Sequence, residues 1–357
     1  MLDRDSENEI ASHQIGHTHP FGPYIDILMG GGRQHYLPES EGGTREDDVN
    51  LIDFATGEGY TYASDASEIE DALDDGKLPL PFLALLADSH LDYEMDRDPE
   101  EQYSLLKMVE LSLATLGDKN DKGFFLMVEA SRVDHAGHAN DAAGHVHEAL
   151  MFNEVMAYLK EYVTEHEDTQ LLSAADHECG GLTLTDGFDP TVIARAQNSG
   201  EHLEAMFDDE AGEDKAGYLK DTLLPLYGLG NYTDEDISVW LDVYESEGTI
   251  AMSTAILHAF AQEAGINWST GGHTAADVQL HGFAAGNAWE TMRRELGTNV
   301  NNIELPSYVQ KALGLKKTME DATKALRKDG VDWVEKRDML EAIKRNNAAA
   351  RHHAHHS

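Results

Sequence analysis

The feature that most constrains this chain is residues 123–181, where short apolar runs, a long amphipathic pattern and polar loops alternate. Residues 123–128 (Gly-Phe-Phe-Leu-Met-Val) form an apolar run too short for a helix, and residues 169–174 form a second one. Between them, apolar residues recur at helical spacing through residues 141–166. The order predicts a buried strand, a long helix and a second strand, which together form one βαβ unit.

Each predicted strand leads into a polar loop that is rich in metal-binding residue types. The first loop carries Glu129, Asp134 and His138, and the second begins with Asp176 and His177. Because a right-handed crossover makes the two strands parallel, both loops should lie at the carboxyl edge of the sheet, where ligands bind. A single acid or histidine in a loop is usually a solvated surface group. Five of them at both ends of one βαβ unit favour a metal site. Mixed carboxylates and imidazoles suit zinc, and oxygen ligands suit magnesium.

Three segments of the chain closely resemble the metal-binding segments of alkaline phosphatases, and most of all those of the fungal, vacuolar-type members. They are residues 124–140, which include Asp134-His-Ala-Gly-His138, residues 175–181, and residues 268–274, which include Gly-Gly-His-Thr. The segments follow the family's order, and the resemblance extends from about residue 11 to about residue 315.

The resemblance implies a set of ligands that spacing alone does not assign. A first zinc would be held by Asp134, His138 and His273, and a second zinc in part by Asp176 and His177. Glu129 would belong to a magnesium site. The resemblance thus implies two zinc ions and one magnesium ion as cofactors.

The chain length and the resemblance together predict the domain organisation. With 357 residues the chain can bury a large core. The resemblance implies a three-layer α/β sandwich around a mostly parallel sheet, incomplete at its amino-terminal part. We predict part of this core at residues 1–184, an insertion subdomain at 185–267, a return to the core at 268–315, and a helical, partly disordered tail at 316–357.

Further elements of the core are predicted upstream of the metal-binding loops. Residues 24–29 and 81–87 read as strands, and a helix is predicted to open at Pro99. The first strand runs into Gly30-Gly-Gly-Arg33, which lacks both the GxGxxG and the P-loop spacing. We therefore predict a tight turn there and no phosphate-binding loop.

Composition excludes several classes of partner. The formal net charge is −41, a field that repels nucleic acid and anionic membranes. Phosphate esters would be repelled too, unless bound metal ions reverse the local potential. The longest apolar run, residues 78–87, is interrupted by two prolines, and the acidic start of the chain does not resemble a signal peptide.

The single cysteine, Cys179, excludes an internal disulfide. Its place beside Asp176 and His177 makes a zinc ligand conceivable. The alkaline phosphatase motif does not use this position, however, so the sequence favours a buried small residue.

The resemblance implies hydrolysis of phosphate monoesters at high pH, with a serine nucleophile in an Asp-Ser-Ala-like motif that precedes the Gly-Gly-Gly-Arg segment. No such motif precedes Gly30, and the nearest candidate, residues 61–67, has the wrong order and follows that segment. The first hypothesis is therefore the carboxyl-terminal part of a phosphate monoester hydrolase that lacks the nucleophile region.

A non-catalytic metal-binding remnant is the alternative. A phosphodiesterase or phosphomutase of the same superfamily is a third, weaker reading, because the two histidine-containing motifs argue against it. A homodimer, and a vacuolar location through a membrane anchor or a secreted one, are expectations from the family alone.

Overall fold

The computed structural model describes residues 6–19, 22–119 and 122–328. The helices of these ranges are α1 (Glu7–Gln14), α2 (Leu51–Gly57), α3 (Ala66–Ala72), α4 (Leu105–Lys119), α5 (Arg132–His138), α6 (Ala142–Glu165), α7 (Pro190–Ile193), α8 (Gly200–Glu210), α9 (Lys215–Tyr218), α10 (Leu224–Tyr227), α11 (Asp234–Glu247), α12 (Thr249–Glu263), α13 (Gly286–Leu296), α14 (Leu305–Ala312) and α15 (Lys316–Lys328). The strands are β1 (Ile27–Gly30), β2 (Thr61–Ala63), β3 (Phe82–Leu85), β4 (Gln170–Ala174), β5 (Glu178–Cys179), β6 (Thr183–Leu184), β7 (Ile266–Asn267), β8 (His273–Thr274) and β9 (Leu280–Ala284). Among these helices none has the length and apolar character needed to cross a membrane.

A three-stranded parallel sheet in the order β1-β3-β2 forms the amino-terminal part of the fold. All four residues of β3 are buried, as expected for a central strand that is covered on both faces. The strands predicted at residues 24–29 and 81–87 are β1 and β3, with shorter bounds. The predicted α/β class is confirmed.

The glycine-rich segment after β1 is a tight turn, as predicted. Gly32 has φ 83°, and its amide donates to the carbonyl of Ser89 at 2.6 Å. The Arg33 guanidinium donates to Asp88 Oδ1 at 2.8 Å, which ties the turn to the loop after β3. The backbone amides of this turn are therefore directed at protein atoms.

The prediction of a buried, paired strand at residues 123–128 is wrong. The segment has no regular secondary structure, and within the described part of the chain it pairs with no strand. Phe125 is 65% exposed and Met127 is 75% exposed, and they alternate with half-buried neighbours. The apolar pattern suits a strand, but no described strand lies beside it to form a hydrogen-bonded ladder.

The rest of the predicted βαβ unit is present with a different pairing. The long helix is α6 and the second strand is β4. β4 pairs antiparallel with β9, with Gln170 opposite Ala284. Parallel pairing of β4 with residues 123–128, on which the predicted meeting of the two loops rested, is not observed.

The helix predicted to open at Pro99 begins later, at Leu105. Asp98 holds the intervening residues in a turn, because its carboxylate accepts from the amide of Glu100 at 2.9 Å and its carbonyl accepts from the amide of Glu101 at 3.2 Å. The Ser104 hydroxyl then accepts from the amide of Lys107 at 3.2 Å, near the start of α4.

The described residues divide into two compact units, one drawing on residues 6–10, 159–176 and 278–328, the other on the described residues between 11 and 158 and on residues 177–277. In the first unit β4 and β9 pack against α13 and α14 around Ala284, Met292, Leu296 and Tyr308. In the second, the largest core cluster gathers side chains of α7 to α12. The predicted domain boundaries stay predictions, and residues 329–357, most of the predicted tail, lie outside the described residues.

Candidate metal centre

The short helix α5 positions the first two candidate ligands. Asp134 and His138 lie four residues apart on α5 and so share one helical face. Their Oδ2 and Nε2 atoms are 3.4 Å apart. The sequence had predicted a polar loop here, and the structure has a helix. One regular helical turn fixes the spacing of the carboxylate and the imidazole.

Arg132 anchors the first turn of α5. The residue is 6% exposed, and its Nη2 donates to both carboxylate oxygens of Glu201 at 2.8 Å. The guanidinium also lies 3.8 Å from the ring centroid of Tyr93. Donation from Nη2 to both oxygens of Glu201, together with the contact on Tyr93, holds the start of α5 against α8 and thereby limits the movement of Asp134.

The other end of α5 is tied to the segment that carries His273. Asn140 donates through Nδ2 to the carbonyls of Gly137 at 2.8 Å and Thr270 at 3.0 Å. His138 Nδ1 lies 2.6 Å from the carbonyl oxygen of Gly271. A carbonyl oxygen only accepts, so Nδ1 donates to it, and Nε2 is the ring nitrogen left to bind a metal ion.

Two short strands, β5 and β8, bring the remaining residues together. They pair antiparallel, with Cys179 opposite His273 and Glu178 opposite Thr274. The Glu178 carboxylate accepts from the Thr274 hydroxyl, from the Thr274 amide at 3.2 Å and from the Gly181 amide at 2.9 Å. The hydrogen bond from the Thr274 hydroxyl is the main reason that the pKa of Glu178 lies below its ordinary value. Glu178 therefore joins the two strands as a carboxylate.

Two glycines permit the close approach of these segments. A Cβ on Gly180, which has φ 83°, would lie 2.5 Å from the ring of Trp268. A Cβ on Gly137 would lie 3.2 Å from Cβ of Cys179. The absence of side chains at these positions lets β5 lie directly against Trp268 and against α5.

Four side chains converge as a result. One ligand atom from each lies within 4.8 Å of all the others, and the four residues are Asp134, His138, Cys179 and His273. The Nε2 atoms of His138 and His273 are 3.2 Å apart. His177 flanks the group, since its ring stacks on His273 with 3.5 Å between centroids and its Nδ1 lies 3.8 Å from Asp134 Oδ1.

These residues fit a bound zinc ion. Asp134 Oδ1 is buried and accepts no hydrogen bond from the described residues. A buried carboxylate oxygen without a partner is costly, and a cation beside it would remove that cost. Carboxylate oxygen, imidazole nitrogen and thiolate sulfur are the donor types that zinc takes in proteins.

Cys179 is the member of the group that the sequence did not select. Its side chain is partly exposed, where the sequence favoured a buried residue. Burial of the thiol, followed by the nearby Asp134 carboxylate, raises the pKa of Cys179 to about 12. Its position directly after Asp176-His177-Glu178 was the signal available in the sequence.

Two predicted ligands lie outside this group of four. Glu129 is exposed in the irregular segment before α5. Asp176 is exposed after the end of β4. Their assignment to a magnesium ion and to a second zinc ion stays a prediction, as does the role of His177 in the second site.

Comparison with known proteins gives the family. The family model described as "Alkaline phosphatase" matches residues 2–315. The chain belongs to the alkaline phosphatase family. It is 35% identical over 345 residues to the "Repressible alkaline phosphatase" of Saccharomyces cerevisiae, and 32% identical over 340 residues to an "Alkaline phosphatase" of Schizosaccharomyces pombe. The resemblance to fungal alkaline phosphatases is thereby confirmed.

Solved structures agree with this placement. This alkaline phosphatase family member is similar to the crystal structure of Thermus thermophilus alkaline phosphatase, with a TM-score of 0.67 and 25% identity over 84% of this chain and 67% of that one. The predicted alkaline-phosphatase-like fold is confirmed. The matches to the two yeast proteins cover 87% and 91% of this chain but only 60% and 61% of the relatives. The chain thus spans about three fifths of the relatives that it matches.

Proposed function

We propose that this chain carries the metal centre of a phosphate monoester hydrolase of the alkaline phosphatase type. The observation that carries the proposal is the convergence of Asp134, His138 and His273 from two separate motifs onto one group. The family supports the reaction class, because the relatives are named alkaline phosphatases. The buried Asp134 Oδ1, which accepts no hydrogen bond from the described residues, supports a cation beside this carboxylate.

The proposed ligand sets follow the motifs. Asp134, His138 and His273 would hold a first zinc, Asp176 and His177 would hold a second, and Glu129 would bind magnesium. Bound metal ions would polarise the phosphoryl group, activate the attacking oxygen and stabilise the leaving oxygen. They would also reverse the negative potential of a chain with a net charge of −41, which otherwise repels a phosphate ester.

The protein's own contribution is to hold the ligands in place before any substrate arrives. Gly271 fixes the tautomer of His138, Arg132 fixes the start of α5, and Glu178 joins β5 to β8. Such preorganisation supplies most of what phosphoryl transfer requires of a protein. We assign no side chain of these 357 residues as the nucleophile, because none lies in a matching Asp-Ser-Ala-like motif.

The test combines metal content with hydrolysis of a chromogenic phosphate monoester at alkaline pH, with zinc and magnesium supplied. The double variant Asp134→Ala, His138→Ala should lose bound zinc and any hydrolysis. The control is Glu161→Ala, Glu165→Ala, a pair with the same spacing on the exposed face of α6, which should leave both unchanged. Zinc binding that survives the first double variant would overturn the proposed site.

A second candidate is a metal-binding protein without hydrolytic activity. The exposure of Glu129 and Asp176, apart from the group of four, favours it. About one tight zinc ion per chain with no hydrolysis would support this candidate, whereas three occupied metal positions with hydrolysis would exclude it. The family also predicts a homodimer, which sedimentation tests. It predicts a vacuolar or secreted location, which localisation of the tagged protein tests.

A further inference from the structure

We infer that Cys179 is the fourth protein ligand of the first zinc ion. The inference rests on the zinc site proposed above but not on hydrolysis. The family resemblance assigns only Asp134, His138 and His273 to this ion, so a thiolate ligand would distinguish this chain from the pattern that it otherwise matches.

The strand pairing places the thiol correctly. Cys179 and His273 are directly opposite in the antiparallel pair β5–β8, and opposite residues project their side chains to the same side of a ladder. The Cys179 sulfur lies within 4.8 Å of the ligand atoms of Asp134, His138 and His273. One ion between the four atoms would contact each of them after small side-chain rotations.

The helix facing the thiol is shaped to admit it. Gly137 lies between the two ligands of α5, and a Cβ there would lie 3.2 Å from Cβ and 3.3 Å from Sγ of Cys179. A side chain at position 137 would therefore require Cys179 to shift by a few tenths of an ångström. Asp134 Oδ2 lies 3.4 Å from Nε2 of His138, and the buried Oδ1 accepts no hydrogen bond from the described residues, so the carboxylate is available to a bound ion.

Four protein ligands complete the coordination of a tetrahedral zinc ion, and a thiolate selects zinc over magnesium or calcium. Binding breaks the S–H bond and forms a sulfur–zinc bond, and the proton is released to solvent. With Cys179 bound, the first zinc has no open position. Access of water or phosphate to this ion then requires a fifth ligand or the departure of Cys179.

His177 is the competing fourth ligand. It stacks on His273 with 3.5 Å between ring centroids, but it is not among the four residues whose ligand atoms converge. The variants His177→Ala and Cys179→Ser therefore separate the two assignments. Only Cys179→Ser should remove the charge-transfer band that a thiolate gives when it binds Co²⁺.

The experiment uses the full chain, stripped of metal with a chelator and titrated with Co²⁺ as the probe. A thiolate bound to Co²⁺ gives an intense near-ultraviolet charge-transfer band, which imidazole and carboxylate ligands do not give. Because the chain contains one cysteine, the band has a single source. We expect the band in the wild type and in His177→Ala and not in Cys179→Ser. The affinity of Cys179→Ser for Co²⁺ should fall at least about tenfold, because removing a group that only hydrogen-bonds a metal ligand already costs that much.

The alkylation rate of Cys179 is a second readout, and it needs only the wild-type protein. Zinc should slow alkylation of Cys179 in the wild type about tenfold or more, since a metal-bound thiolate is shielded from the reagent. Cobalt binding without the band, together with alkylation that zinc does not slow, would overturn the inference and leave the zinc site intact. No cobalt or zinc binding at all would overturn the zinc site and the inference together.

Discussion

Cys179 and His273 face each other across a pairing of only two residues per strand, although helices α7 to α12 lie between them in the sequence. The metal centre therefore depends on a very short ladder. Its stability comes from Glu178, which bonds both strands, and from the glycines that let Trp268 and α5 pack closely.

Replacing Glu178 with alanine should weaken zinc binding without removing a ligand. The variant loses the acceptor for the Thr274 hydroxyl and for the amides of Thr274 and Gly181, so only the short backbone pairing holds His273 opposite Cys179. We expect a loss of affinity of about 10–100-fold, measured by competition with a chromogenic chelator. Glu178→Gln keeps one acceptor oxygen, so its zinc affinity should lie between those of the wild type and Glu178→Ala. Equal affinity in all three proteins would contradict a role of Glu178 in positioning His273.

Gly137→Ala and Gly57→Ala form a matched pair of helical substitutions with opposite expected signs. Gly57 in α2 has open space around a new Cβ, so alanine there should stabilise the protein by about 0.5–1 kcal/mol. Gly137 in α5 faces Cys179, so overpacking should destabilise the protein by about 1–3 kcal/mol. Urea unfolding of the metal-free proteins measures both. A stabilised Gly137→Ala would mean that α5 and β5 are not in close contact.

Glu204 should make stability depend on pH. Burial raises the pKa of Glu204 from 4.5 to about 7, with Glu201 and Asp141 adding to the rise and a hydrogen bond with Ser253 opposing it. The folded state therefore binds the proton more tightly than the unfolded state. The stability from this group is fully present below pH 4.5 and is lost as pH rises to about 7. At 1.36 kcal/mol per pKa unit the loss is on the order of 3 kcal/mol.

Glu204→Gln keeps the shape of the side chain and removes its titration. Its free energy of unfolding, measured by denaturant at intervals across this pH range with chelator present, should fall less with rising pH than that of the wild type. Parallel pH profiles for the two proteins would show that Glu204 has an ordinary pKa.

The exposed apolar edge at residues 123–128 should limit solubility. Phe125 and Met127 are 65% and 75% exposed on a segment with no described strand partner, and such edges promote association. Phe125→Thr, Met127→Thr should raise the monomer fraction in light scattering and change the free energy of unfolding by less than about 0.5 kcal/mol.

The control is Phe82→Thr on β3, which is fully buried and should cost about 3 kcal/mol or more. A large loss of stability in the Phe125, Met127 double variant would show that this edge is packed in solution.

Local sequence patterns were enough to predict several helices and strands and the residue types of the metal centre. The periodicity of residues 141–166 determined α6, and the apolar run of residues 81–87 determined β3, because both patterns reflect burial within one segment. The motifs also indicated which residue types could bind metal. These signals are local, so they can be read without knowing what packs against them.

Which segments pair with one another depends on tertiary packing. Residues 123–128 have the pattern of a strand but no described partner, and β4 pairs antiparallel with β9, which the apolar pattern could not indicate. The β5–β8 register and the missing side chain at Gly137 place Cys179 beside the other candidate ligands, Asp134, His138 and His273. Strand register and close approach depend on residues distant in sequence, and a local pattern does not specify its own partner.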